Sequence, residues 1–193
     1  IPSLVKDTTI DAFIDPDNAA IQYRNRVKDL FGLKDPIIVA ITGDSDNAIY
    51  QPAPLTLVQE LTSSIAAMDN IDPDKVMSLA TETSIRGTET DLYVDPLIPA
   101  GPITEGTADT TRQQVNAMPL YIGNLVTADG SATLIVAEVL EHQIAGKTYE
   151  AIQAHLNMLK LDGFSFHVAG GAAVDGYFAK YLDKDSRQIQ PFT

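Results

Sequence analysis

Cysteine and tryptophan are both missing from this 193-residue chain. Without cysteine there is no disulfide scaffold, no thiolate metal site and no thiol nucleophile. Positive charge is scarce: 13 Lys and Arg stand against 26 Asp and Glu, a formal net charge of −13. A surface that acidic repels phosphate backbones and anionic headgroups, which argues against nucleic-acid partners. Long hydrophobic runs are lacking too. The longest clean ones, Ile37 to Ile41 and Leu134 to Ala137, suit strands and fall well short of the roughly 18–20 apolar residues that span a bilayer. The chain opens Ile1-Pro2-Ser3, with neither an initiator Met nor a signal peptide. That start leads us to expect a processed protein or a piece of a longer one. What remains is an ordinary globular composition, 45% apolar and 20% charged. It is enough for one domain, or two small packed subdomains, with a sizeable core.

Periodicity organises most of the chain. Leu4 to Ile14 reads as an irregular extended segment. Asp15-Pro16-Asp17 is a turn and helix cap, and Ala20, Tyr23, Val27 and Leu30 follow at helical spacing up to Gly32. Ile37 to Ile41 is β-branched and apolar, the pattern of a strand buried on both faces. Pro52 and Pro54 suit the first turn of a helix whose face is Leu55, Val58, Leu61, Ile65 and Met68. Asp72-Pro73-Asp74 breaks it, and Val76 to Leu79 is expected to return as a strand, closing a β-α-β unit. The stretch from Thr81 to Met118 is rich in Thr, Gly and Pro. It suggests loops and short strands, then a weak polar helix over Ala108 to Met118. Tyr121 to Val126, the Asp129-Gly130 turn and Ala132 to Leu140 read as a hairpin. A helix carrying Tyr149, Ile152, Leu156 and Leu159, then a strand from Phe164 to Ala169, complete a second β-α-β unit. Gly170-Gly171 leads into a last helix with Val174, Tyr177, Phe178, Tyr181 and Leu182 on one face. The expected fold is α+β, built of ferredoxin-like β-α-β units, with helices packed on a mixed, mainly antiparallel sheet. We read residues 1–193 as a single domain, with residues 81–118 as its least defined part.

Local chemistry is sparse. Gly146-Lys147-Thr148 lies between a strand and a helix, as a phosphate-binding loop does. The first glycine of that loop would fall at Glu141, whose side chain and charge would occupy the space where backbone N–H groups must face phosphate. The plainer reading is an exposed helix start. Glu138, Glu141 and His142 cluster, and His155 and His167 complete the histidines, but no spacing makes a zinc set. Acidic groups recur at Asp11, Asp15 and Asp17, at Asp44 and Asp46, and at Asp69, Asp72 and Asp74. Counted from Asp44, a calcium loop would need glycine at Ile49 and a carboxylate at Leu55, so turn and cap roles explain these aspartates better. There is no Gly-x-Ser-x-Gly nucleophile elbow and no dinucleotide glycine pattern. We therefore expect no catalytic residue, no cofactor and no resident metal.

The order of these signatures is informative. Thr8-Thr9-Ile10-Asp11-Ala12-Phe13-Ile14-Asp15-Pro16-Asp17, then a helix and Phe31-Gly32, resembles the start of the first extracytoplasmic loop of RND-superfamily exporters, the MMPL-type or Patched-like branch that moves hydrophobes and lipids. The strand at Ile37 to Ile41 falls next. The segment Leu125 to Ile135, with Asp129-Gly130 at its turn, is similar to the family's hairpin, and Val168-Ala169-Gly170-Gly171 resembles its turn into a helix. The likeness covers nearly the whole chain, although each motif is short. Ala172 and Ala173 stand where the family often has proline.

The resemblance implies a porter domain between the first and second membrane helices of an exporter driven by the proton gradient. The parent would lie in the cytoplasmic membrane with this domain on the periplasmic or extracellular side. Its partners would be hydrophobic or amphiphilic small molecules or lipids and the rest of the same transporter chain, with oligomerisation in the full-length protein. Gly170 and Gly171 would hinge the domain to the second membrane helix. The rival expectations are a free-standing extracytoplasmic domain that binds a ligand or partner, and a hydrolase with a dispersed site.

Overall fold

A computed structural model describes residues 36–87, 90–141 and 144–171, together with residues 18, 19, 22, 173, 174 and 177. Most of the helix expected before Gly32, and most of the one expected after Gly171, lies outside the described residues.

The first strand, β1 (Pro36–Gly43), starts at a proline that needs no ladder donor and continues as an apolar run. Its residues alternate between buried and half-buried: Ile37, Val39 and Ile41 are at most 1% exposed, while Ile38, Ala40 and Thr42 on the other face are only half-buried. The expectation of burial on both faces is thus met on one face only. Helix α1 (Pro52–Ala66) follows. Proline in its first turn supplies a preset φ at positions with no intrahelical N–H bond. Leu55, Val58, Leu61 and Ile65 form its buried stripe.

Next come the short strands β2 (Thr83–Gly87) and β3 (Leu92–Pro96), paired only with each other, and helix α2 (Glu105–Asn116). Thr104 caps α2 through the Thr107 amide at 3.3 Å. The buried Thr111 hydroxyl donates to the Leu97 carbonyl at 2.7 Å and so fixes α2 against the segment after β3. Strand β4 (Ala132–Glu138), helix α3 (Ala145–Met158) and strand β5 (Phe164–Ala169) end the described fold.

The main sheet has the order β4-β1-β5, with β1 antiparallel to both neighbours. Strands β4 and β5 therefore run in the same direction with β1 inserted between them, a split β-α-β arrangement. The register sets Ile37 against Ala137, Val39 against Ile135 and Ile41 against Thr133 on the buried face. Phe166 and Val168 extend that face on the β5 side. The buried faces of α1 and α3 share one continuous core with it. The architecture is α+β with antiparallel ladders, as the sequence predicts.

Two predicted strands are not formed as such. Val76 to Leu79 does not build a ladder. The chain instead runs along the outer edge of β4 and touches it twice, Ile71 bridging Val139 and Met77 bridging Val136. Between the bridges lies a 3-10 turn, Pro73–Lys75, capped by the Asp72 carboxylate on the Asp74 amide. Proline has no N–H for a ladder and the turn lifts the chain off the edge, so pairing is broken. Val76 and Leu79 are nevertheless buried, which is the signal their hydrophobicity carries. Tyr121 to Val126 is likewise no strand. The amides of Leu125 and Val126 both fold back onto the Tyr121 carbonyl, and Gly123 has φ +81, so the segment meets β4 in a single bridge, Val126 with Thr133, beside which the Leu125 carbonyl accepts the Leu134 amide at 2.9 Å. The Asp129-Gly130 turn itself is present. Asp129 accepts from Thr127 Oγ1 at 2.6 Å and from the Ser131 amide at 2.9 Å. These bonds, the Thr127 hydroxyl first, hold its carboxyl down at about 2.

Gly170 ends the sheet at φ +99, with its Cα turned onto the Pro36 carbonyl and no room for a Cβ. Gly87 has open space where a Cβ would be added. Gly170→Ala should therefore cost about 2 kcal/mol or more from backbone strain and clash, read as a lower denaturant midpoint. Gly87→Ala should change stability by less than about 0.5 kcal/mol. Equal midpoints for the two variants would contradict this packing.

Candidate functional site

Helices α1 and α3 flank two clefts. The start of α1 lies beside the chain leaving α3, and the end of α1 lies beside the start of α3, so the two helices are antiparallel on the sheet. They do not close over each other along their whole length. At one end of the seam is a cleft of about 520 Å³, lined by Ala53, Thr56, Leu57, Glu60, Leu159 and Leu161 among others. At the other end is a cleft of about 420 Å³, lined by Met68, Asn70, Ile144, Lys147, Thr148 and Ala151 among others. Each has an apolar floor and a charged rim: Glu60 and Lys160 at the first, Asp69 and Lys147 at the second. That combination suits a molecule with an apolar body and a polar end.

The second cleft is braced by a residue the sequence reading passed over. Asn70 is 7% exposed. Its Nδ2 donates to the Glu141 carbonyl at 3.0 Å and to Thr148 Oγ1 at 2.9 Å, and its Oδ1 accepts from the Glu141 amide at 2.8 Å. One side chain thereby ties the end of α1 to the loop after β4 and to the first turn of α3. Contacts separated by some seventy positions leave no local signal in the sequence.

Among the described residues, those singled out for chemistry do not assemble. Gly146-Lys147-Thr148 lies within α3, and Thr148 is committed to Asn70. Glu141 is exposed on the loop before it, and His142 lies outside the described residues. His155 is half-buried on α3, and His167 is exposed on the outer face of β5. Among the described residues no three His, Asp or Glu side chains are grouped to hold a metal ion. Asp44 and Asp46 are exposed in the turn after β1, and Asp72 serves as a cap. The Asp11, Asp15 and Asp17 group lies outside the described residues. The most buried hydroxyl pair, Thr62 and Ser78 at 2.8 Å, joins α1 to the segment after the broken strand, and Ser78 also receives the Ala80 amide. Its bonding partners include no histidine or carboxylate. Gly170 and Gly171 sit side by side. Gly170 is fixed against Pro36, and its carbonyl accepts the amides of Ala173 and Val174 as the next helical turn begins.

Two tyrosines are perturbed by their packing. Tyr50 lies under the Asp129-Gly130 turn, where a Cβ on Gly130 would come within 2.7 Å of its ring. Burial pushes its phenol up to about 12, against the pull of the Arg112 guanidinium. The Tyr121 phenol is raised first by burial and then by the Glu82 carboxylate. It donates to the Thr83 carbonyl at 2.7 Å. Both are structural fasteners around the core.

Compared with models of known protein families and with curated proteins, the chain matches none. Among the described residues no helix is long and apolar enough to cross a membrane.

The Tyr50 environment sets a pH dependence. The fold favours the neutral phenol, so its contribution is complete below the ordinary value of 10.0 and is lost as pH rises through about 12. Thermal unfolding followed between those limits should show the wild type losing stability, with Tyr50→Phe losing clearly less. Parallel losses in the two proteins would contradict the assignment.

Proposed function

We propose that this chain is the extracytoplasmic porter domain of a proton-gradient-driven RND-type exporter, and that it contributes to a path for hydrophobic or amphiphilic molecules. In this reading the core is a ferredoxin-like porter unit. The strand connectivity supports it: the segment from Asn70 to Met77, β4, β1 and β5 lie side by side in that order, with one helix after the first strand and one before the last. That is the layout expected when two β-α-β units interleave.

The observation that carries the reading is the meeting of Pro36 and Gly170. The chain enters the sheet at one and leaves it at the other, and their backbones are in contact. A body held at two adjacent points can be carried by two neighbouring membrane helices and turned by their relative motion. The clefts at the two ends of the α1/α3 seam, apolar with a charged rim, are the surfaces an amphiphile would use. The same clefts support the rival reading, a free-standing ligand-binding domain. In the exporter the Gly170-Gly171 turn is a lever rather than a loose joint, because Gly170 is packed against β1.

The reading frame on each side of residues 1 and 193 should encode about 20 consecutive apolar residues. In that parent protein, a flexible Gly/Ser insertion after Gly171 should abolish export of a hydrophobic dye by uncoupling the turn from the second membrane helix, while a short cross-link between cysteines introduced at Pro36 and Gly171 should leave export unchanged. A frame that stops after Thr193 removes the exporter reading. Full export with the insertion in place removes the lever.

A further inference from the structure

Strands β2 and β3 form an arm that receives hydrogen bonds from other segments on one edge and, among the described residues, pairs with no strand on the other. The Leu97 amide donates to the Glu82 carbonyl at 3.0 Å, which fixes the ladder's phase. Pairs then alternate along the register: Ser84 with Asp95 and Arg86 with Tyr93 bond to each other, while Thr83, Ile85, Leu92, Val94 and Pro96 turn their backbone groups outward. On the β2 edge two of these groups have partners. Tyr121 Oη donates to the Thr83 carbonyl at 2.7 Å, and the Ile85 amide donates to Met118 Sδ at 3.4 Å. On the β3 edge the outward N–H and C=O groups of Leu92 and Val94 have no strand beside them among the described residues.

The side chains at these positions share one face and are apolar: Ile85 is 53% exposed, Leu92 70% and Val94 57%. The opposite face is polar, with Tyr93 and an Arg86–Asp95 ion pair. Two strands with a bare apolar face are marginal in water; a third and fourth strand are what such a ribbon lacks.

We propose that β3 is an assembly edge, and that two copies of this chain pair through it, antiparallel, about a two-fold axis at Val94. The result is a four-stranded sheet in the order β2-β3-β3-β2. The match to a second copy lies in the residues themselves. With Val94 opposite Val94, Leu92 stands opposite Pro96 of the other copy, so the Leu92 amide meets a carbonyl and the proline, which has no N–H, sits where pairing ends. Tyr93 stands opposite Asp95, whose charge is already answered by Arg86 of its own arm. Moving the axis one residue, to Tyr93, would set Asp91 against Asp95, like charges across a strand pair. The Val94 axis avoids that and merges both apolar faces. Each chain carries −13 overall, so pairing should tighten as salt screens the repulsion between the copies. This proposal is independent of the exporter reading.

The test is sedimentation equilibrium of the 193-residue chain at low and moderate salt, beside Val94→Pro. That substitution removes an outward N–H and leaves the β2–β3 ladder intact. The wild type should be a dimer, tighter at moderate salt. Val94→Pro should dissociate at least about tenfold more readily, with an unchanged far-ultraviolet circular dichroism spectrum. Should Val94→Pro fail to fold, Leu92→Lys, which charges the merged face, carries the same expectation. In this cysteine-free chain Val94→Cys should also be captured as a covalent dimer by a short bismaleimide. A wild type that stays monomeric at its solubility limit overturns the proposal. So does a folded Val94→Pro or Leu92→Lys that dimerises as tightly as the wild type.

Discussion

Ile37, Val39 and Ile41 lie on a strand hydrogen-bonded along both edges, and much of the described structure is arranged around that fact. Each of these side chains is almost completely buried. Burying one is worth about 1.5–3 kcal/mol. Three in a row approach the net stability of a whole domain, about 5–15 kcal/mol. Because the row belongs to a strand with two partners, β4 and β5 must both run against it and hence alongside each other. Helix α3 must then cross from one outer strand to the other over the buried face. Helix α1 shares the same core, and the seam between the two helices follows from that geometry.

The elements legible in the sequence are those whose stabilisation is local and periodic. The apolar runs of β1 and β4 and the 3.6-residue stripes of α1 and α3 are read correctly because one face of each is buried whole. The segment from Ile71 to Leu79 shows the limit. Its hydrophobicity reports burial truthfully, but the Asp72-Pro73 turn decides backbone pairing, and a proline that removes one donor outweighs β-propensity. Tyr121 to Val126 fails for a related reason: its amides are taken by turns before the strand can use them. Of the candidate site, Lys147 and Thr148 are legible as a helix start. The seam itself is not, because it depends on Asn70 reaching a loop and a helix far along the chain.

The strand connectivity and the two clefts are the observations behind the proposed reading. The singled-out histidines and carboxylates that lie among the described residues are dispersed over helix, strand and turns, while the exposed apolar side chains include Ile85, Leu92 and Val94 together on the β2–β3 arm. The acidic surface has a consistent role too. It discourages anionic partners and leaves the apolar regions as the surfaces where contact is favourable. In the proposed exporter, the contact between Pro36 and Gly170 would pass movement at that point to the whole body.

The central functional claim is that amphiphilic molecules occupy the α1/α3 seam. Amide chemical shifts recorded while a neutral amphiphile below its micelle concentration is added to the chain test it most directly. The account predicts saturable shifts concentrated at Ala53, Leu57, Glu60, Leu159 and Leu161, reduced by Leu57→Asp. Shifts confined to the β2–β3 arm, or none that saturate, would contradict it.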